Sequence, residues 1–275
     1  MEKNVFTVKN SLYREADLQR LRGMRLMDDD FMTKVFDGHP ECIELVLQII
    51  LDKPDLKVIQ VQTQVFVENL IKRSVRFDVL ATDTSGKMYN VEVQRADKGA
   101  GRKRARYNSS MMDINILDKG GEFKDLPETY VVFITENDVL MAGFPVYHIE
   151  RWIEETKELF DDDEHILYVN GAYRDDTPIG KLMHDFSCTQ PDNMKYPLLA
   201  ERARYFKETE EGREIMCKIM EDMVTAANLK LTLEYVKKMM NSFGISLEQA
   251  MDALKLSQEE RDYIVKAMEK PDVEM

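Results

Sequence analysis

Apolar and polar residues alternate from Val75 to Asp83. Val75, Phe77, Val79 and Ala81 fall on one side of an extended chain, and Arg76, Asp78, Leu80 and Thr82 on the other. Met88 to Gln94 repeats the pattern, with Tyr89, Val91 and Val93 opposite Asn90, Glu92 and Gln94. A period of two predicts two strands. Between them, Thr84-Ser85-Gly86 predicts a three-residue hairpin loop, a type I turn closed by a left-handed residue that Gly adopts cheaply. That loop sets Asp83 opposite Lys87. Counting back along both arms sets Asp78 opposite Glu92, with Gln94 two residues along on the same face. A slip of one residue would send every one of these side chains to the other face.

The same periodicity organises the rest of the chain. Lys57 to Ile71 is Val-rich, with Val61, Thr63, Val65 and Val67 alternating against Gln62, Gln64 and Phe66, and predicts a strand leading into the hairpin as part of an antiparallel meander. Ahead of it, His39-Pro40 opens a helix whose buried stripe is Ile43, Val46, Leu47 and Ile50; Glu41, Glu44 and Gln48 fall on another face. Asp28-Asp29-Asp30 precede an apolar helical pattern and read as a cap and an acidic first turn, and Tyr13 to Met27 as a charged helix. Gly99 to Lys119 predicts a helix entered through glycines, and Thr129 to Thr135 a fully buried strand of the same sheet. Phe144 to Phe160 reads as strand-to-helix with Trp152 in the core, and His165 to Tyr173 as another strand. Asp175-Asp176-Thr177-Pro178 caps a helix over Lys181 to Phe186. From Pro197 on the chain is helical, with capping boxes at Ser246/Gln249 and Ser257/Glu260. The order helix, three strands, helix, strand predicts a mixed α/β domain over 28–196, with an arm and helix over 1–27 and a helical region over 197–275.

Composition narrows the function classes. No apolar run is long enough to span a bilayer, and the N-terminal MEKNVFTVKN has no signal-like apolar core. Three scattered cysteines, Cys42, Cys188 and Cys217, form neither a disulfide framework nor a zinc pattern and fit a reducing, cytoplasmic setting. The acidic run Asp161 to Glu164 reads as a solvated loop, and His184-Asp185 as structural. A net charge of −13 counts against coating nucleic acid. From Arg95 to Arg106, however, six basic residues face one acid, a local +5 that leaves −18 elsewhere. Arg102 and Arg106, one helical turn apart, are spaced to grip phosphates, with Lys103 beside them; Tyr107 is placed to stack on a base or to pack.

The chemistry concentrates on the hairpin. Two carboxylates facing each other among apolar strand residues repel and lose hydration. A divalent cation relieves both costs, and Asp and Glu oxygens on a rigid face suit Mg²⁺ or Mn²⁺. An ordinary solvent-facing sheet surface is the other reading of the same alternation.

Asp78…Glu92-Val93-Gln94 resembles the core of the PD-(D/E)XK nuclease superfamily. With RSVRFDVLATDTSGKMYNVEVQ, GRKRARYNSSMMD and LPETYVVFITEND in order, the chain over roughly residues 25 to 210 resembles its recombination-promoting nuclease/transposase branch. The resemblance implies a restriction-endonuclease-like mixed sheet flanked by helices, and Mg²⁺- or Mn²⁺-dependent hydrolysis of DNA phosphodiesters in a bacterial, mobile-element setting. It implies Asp78 and Glu92 as metal ligands with the Val93 carbonyl, Gln94 positioning the water, Glu44 as auxiliary acid, Asp30 as a further candidate, and Arg102, Lys103, Arg106 and Tyr107 toward nucleic acid. Phe77 stands at the Pro position. Gln94 replaces the Lys; it can orient a water but brings no charge. Two other readings stay open: a weak or inactive relative acting as a DNA-binding or assembly factor, and an interaction protein without a nucleic-acid role. The Met-rich helices after Pro197 are expected to pack on the core or to form a homodimer.

Overall fold

The computed structural model describes residues 15–68, 73–95 and 97–269. It carries two compact units, one spanning Leu18–Arg213 and one that takes in the chain from Glu214.

The first unit is built on a six-stranded mixed sheet. Helix α1 (residues 15–23) is followed by α2 (Asp29–Phe36) and α3 (Pro40–Leu51). Strands β1 (Val58–Val67), β2 (Val75–Asp83) and β3 (Met88–Gln94) then form the expected antiparallel meander. The part of the expected first strand over 69–72 lies outside the described residues. Helix α4 (Arg102–Ile116) crosses over to β4 (Thr129–Thr135), parallel to β3. After β5 (Val146–Ile149) and the two short strands β6 (Trp152–Ile153) and β7 (Glu158–Leu159), β8 (Glu164–Asn170) pairs parallel to β4. The sheet order is β1-β2-β3-β4-β8-β5. Helices α5 (Pro178–Ser187) and α6 (Pro197–Glu208) complete the unit.

Because β3 and β4 are central, both of their faces are covered. All seven residues of β4 are buried, as the TYVVFIT run predicts. Helix α4 covers one face, where Leu80, Val131, Phe133 and Tyr168 meet Ala105, Met111 and Met112. On the other, Tyr89 stacks on Tyr130 and Tyr130 on His165, neighbours in register across three strands. Helix α3 packs against β1 and α5, and its stripe of Ile43, Val46, Leu47 and Ile50 is buried. Cys42, beside that stripe, is buried too, which pushes its thiol up to about 12 and leaves it unreactive. Asp185 holds the entry to α6, its buried carboxylate accepting from the Lys195 and Tyr196 backbone N–H groups at 2.7 and 2.8 Å.

Three expectations change. Phe144 to Phe160 contains no helix, and Trp152 is 61% exposed. It sits on the two-stranded β6–β7 ribbon, a sheet of its own too small to bury an indole. Asp28 stands at the N-cap of α2 but makes no side-chain cap; its carboxylate takes the Arg25 N–H and the Arg95 guanidinium instead, at 2.8 and 2.7 Å. The first unit also runs on past Tyr196 through α6, because Phe206 packs edge-on to Phe31 of α2.

The second unit contains α7 (Glu210–Phe243) from Glu214 on, α8 (Leu247–Ala253) and α9 (Gln258–Glu269) around Val236, Ala250, Met251 and Ile264. Both capping boxes form, Ser246 with Gln249 and Ser257 with Glu260. Among the described residues, no helix is long and apolar enough to cross a membrane.

Candidate active site

The β2–β3 ladder runs Val79↔Val91, Leu80↔Asn90, Ala81↔Tyr89 and Thr82↔Met88. This is the register that the loop length dictates, with Gly86 at φ 82° closing the turn and the Asp83 N–H donating to the Lys87 carbonyl. Asp78 and Glu92 each lie one residue beyond Val79↔Val91, and the Asp78 Oδ2 accepts from the Val93 N–H at 3.1 Å. Neither is solvent-facing: Asp78 is 6% exposed and Glu92 0%. The plain polar-surface reading of the alternation is thereby overturned, since α4 closes over the face on which Glu92, Phe133 and Tyr168 lie in one row.

Enclosure sets the electrostatics. Burial, then the charges of Glu92 and Asp29, pushes the Asp78 carboxyl up to about 8, against the pull of the Val93 N–H and Arg104. Burial also raises Glu92, opposed mainly by Arg104. Each carboxylate has one oxygen tied by a hydrogen bond. Asp78 spends Oδ2 on Val93, and Glu92 spends Oε2 on the Arg104 Nη2 at 2.7 Å. Glu92 Oε1 is buried without a hydrogen-bond partner, as are both polar atoms of the Asn90 side chain two residues before it.

Residues 42–171 match the family model of PD-(D/E)XK nuclease family transposases. That stretch belongs to this family. It begins in α3 and ends just after β8, so Asp78, Glu92, Gln94 and α4 all lie inside it. No curated protein and no solved structure matches the chain. Membership supports a nuclease-like or transposase-like function.

PD-(D/E)XK nucleases generally use divalent metals. Among the described residues, no group of three or more His, Cys, Asp or Glu side chains is arranged to hold one. The pair itself still fits a hard cation. Mg²⁺ characteristically takes one or two carboxylates and completes its shell with water and substrate phosphate. Two like-charged carboxylates with raised pKa values and a buried, partnerless oxygen are the donor set that such an ion satisfies.

The other expected site residues separate. Gln94 continues β3 on the same face, and its Oε1 accepts from the Arg104 Nη1 at 3.2 Å. Glu44 is not brought to the pair. Its carboxylate takes the Lys57 ammonium at 2.7 Å and the Val58 N–H at 3.0 Å, where β1 begins. Val58 pairs with Asp83, five residues along β2 from Asp78, or roughly 17 Å at the strand rise. An open strand-end N–H and a lysine outcompete a distant metal site for this acid. Arg102, Lys103 and Arg106 are exposed on the outer side of α4. Tyr107 packs against the cluster under that helix and donates its hydroxyl to the Arg73 carbonyl, so it packs rather than offering a free ring. Asp30 is half-buried in the first turn of α2, its carboxyl raised by burial and by Asp29.

Three residues were not singled out from sequence. Asp29, in that first turn, is the α2 acid whose charge acts on Asp78. Gln64 reaches it from β1, donating to Asp29 Oδ1 at 2.8 Å and Thr33 Oγ1 at 2.9 Å. Its φ of 54° lies between the ladder pairs Thr63↔Val79 and Val65↔Phe77, a left-handed kink opposite Asp78 that costs about 1–3 kcal/mol in a non-Gly residue. Nothing in the alternation signals it. Arg104 was partly legible: it stands four, seven and eight residues before Asn108, Met111 and Met112, at the edge of the buried stripe of α4, and is itself 40% exposed.

Gly99 holds a position that this geometry requires. A Cβ there would lie 2.0 Å from the Gln94 Oε1. Gly99→Ala is therefore expected to displace the Gln94 amide with less than about 1 kcal/mol lost, because the far end of a flexible side chain can yield, while cleavage falls on the order of tenfold or more. Thermal melts beside a cleavage assay check both halves.

Proposed function

We propose that this chain is a divalent-metal-dependent nuclease that hydrolyses DNA phosphodiesters, of the recombination-promoting, transposase-like type. The observation that carries the reading is the buried Asp78–Glu92 pair, each carboxylate with one oxygen tied and Glu92 Oε1 buried without a hydrogen-bond partner. When bound there, Mg²⁺ or Mn²⁺ would supply a water of lowered pKa and positive charge for the phosphoryl oxygens. Asp78 and Glu92 hold the ion, and the enclosing walls of β4 and α4 keep their orientation. Gln94 lies two residues along on the same face and orients the attacking water. Arg102, Lys103 and Arg106, on the exposed side of α4, grip phosphates flanking the cut. Local positive charge in an acidic chain suits a narrow phosphate-binding cleft.

A second reading has an observation of its own. Gln94 brings no charge and Arg104 already neutralises Glu92, as in a protein that binds DNA or assembles on it without efficient cutting. Supercoiled plasmid at low salt separates the two. The nuclease reading expects nicking that requires Mg²⁺ or Mn²⁺ and stops with chelator; salt-sensitive DNA binding without any nicking in either metal would sink it. A matched RNA run alongside reports the preferred nucleic acid.

A further inference from the structure

Four basic side chains lie between Arg102 and Arg106, and one behaves differently. Among the described residues, Arg102, Lys103 and Arg106 are exposed and have no ion-pair partner. Arg104 is 40% exposed as well, but its guanidinium is held against the β3 side chains. Its Nη2 donates to Glu92 Oε2 at 2.7 Å, and its Nη1 to Gln94 Oε1 at 3.2 Å and to the Gly99 carbonyl at 3.0 Å. The guanidinium carbon lies 5.9 Å from the centre of the Phe133 ring. Two side-chain acceptors, one backbone carbonyl and one aromatic face pin this head.

We propose that Arg104 is the positioning cation of this site: it presents Glu92 with one oxygen free, orients the Gln94 amide, and supplies the positive charge that a glutamine at this position lacks. The inference rests on the nuclease reading above. The orientation of Gln94 carries the chemistry. With Oε1 accepting from Arg104, the two Nε2 hydrogens are the amide's remaining donors. Gln94 can then donate to a phosphate oxygen or to the lone pair of a water, and it cannot act as a base. A neutral N–H donor backed by a fixed cation reproduces, with two residues, what a single lysine would offer. The planar fork suits this double duty, since an ammonium is a point charge and cannot bridge both acceptors in a set geometry.

Calorimetric Mn²⁺ titration of the full chain tests the inference, with plasmid cleavage and thermal melts on the same variants. Arg104→Met is expected to weaken Mn²⁺ about tenfold or more, the usual effect of removing a residue that orients a ligand. Arg104→Lys is expected to recover part of that loss. In a Gln94→Lys background, where the charge is carried in place, Arg104→Met is expected to cost cleavage less than in the unaltered chain, only the Glu92 side-chain contact being lost. Unchanged or tighter Mn²⁺ binding in Arg104→Met overturns the inference alone and leaves the nuclease reading standing. Loss that neither Arg104→Lys nor the Gln94→Lys background relieves, together with a lowered melting temperature, makes Arg104 a structural residue and overturns it too. Absence of Mn²⁺ binding to the unaltered chain removes both readings.

Discussion

Asp78→Asn is expected to lower metal-dependent cleavage on the order of 10³-fold and, in the same protein without metal, to raise the melting temperature at pH 8. The first half follows from the proposed chemistry. A two-carboxylate site that loses one carboxylate gives up several kcal/mol of transition-state charge stabilisation, and about 4 kcal/mol is a thousandfold in rate. The second half follows from burial. Asn keeps the shape and can still accept from the Val93 N–H, but it has no charge to bury beside Glu92. The Asp78 carboxyl is pushed from its ordinary 3.8 up to about 8. Between those values the folded chain binds a proton that the unfolded chain has released. The favourable contribution is thus fully present below about pH 4 and is lost as pH rises through 8. With coupling to Glu92, the relief in the variant is on the order of 2–4 kcal/mol at pH 8 and shrinks toward pH 5. Melts of both proteins in chelator at pH 5, 7 and 8 measure it. Parallel curves across that range would mean that the pair is not electrostatically frustrated, and the site reading would lose its main support. Opposite signs for activity and stability are the signature of carboxylates assembled for a ligand rather than for the fold.

Lys207→Met is expected to destabilise the first unit by about 3–5 kcal/mol, lowering its melting temperature by roughly 10 °C. Lys207 is buried, and its ammonium donates to the backbone carbonyls of Arg22, Met24 and Thr189. It also lies 5.1 Å from the centre of the Phe31 ring. Burial lowers its pKa to about 8, so the folded protein tolerates the charge only because three acceptors surround it. Met preserves the length and packing of the stem while removing every donor, which leaves three carbonyls unsatisfied. The carbonyls come from the last turn of α1 and the residue just after it, and from the loop between α5 and α6, so one side chain ties the N-terminal part of the unit to its last helix. A loss under about 1 kcal/mol would show that water replaces the ammonium, and that this tie is dispensable.

What could be read from the chain alone was what repeats locally. The hairpin register depends on a period of two and a loop whose third residue is Gly, so Asp78 and Glu92 were placed together without any knowledge of the sheet. Likewise, the α3 stripe, the TYVVFIT strand and both capping boxes rest on contacts within a few residues, and each appears where expected. Trp152 went the other way because a two-residue ribbon carries no pattern from which exposure could be judged. Glu44 was assigned by its place in the chain order, whereas a carboxylate goes to the nearest open donors, here Lys57 and Val58. Only the tertiary structure decided that α4 would close over the pair, turning two surface acids into a buried, partly unsatisfied couple. It also decided that Arg104 would enter from twelve residues downstream of Glu92 and that Asp29, held by a kinked Gln64, would bear on Asp78. Desolvation and long-range charge depend on which elements enclose a group, and no local period encodes that.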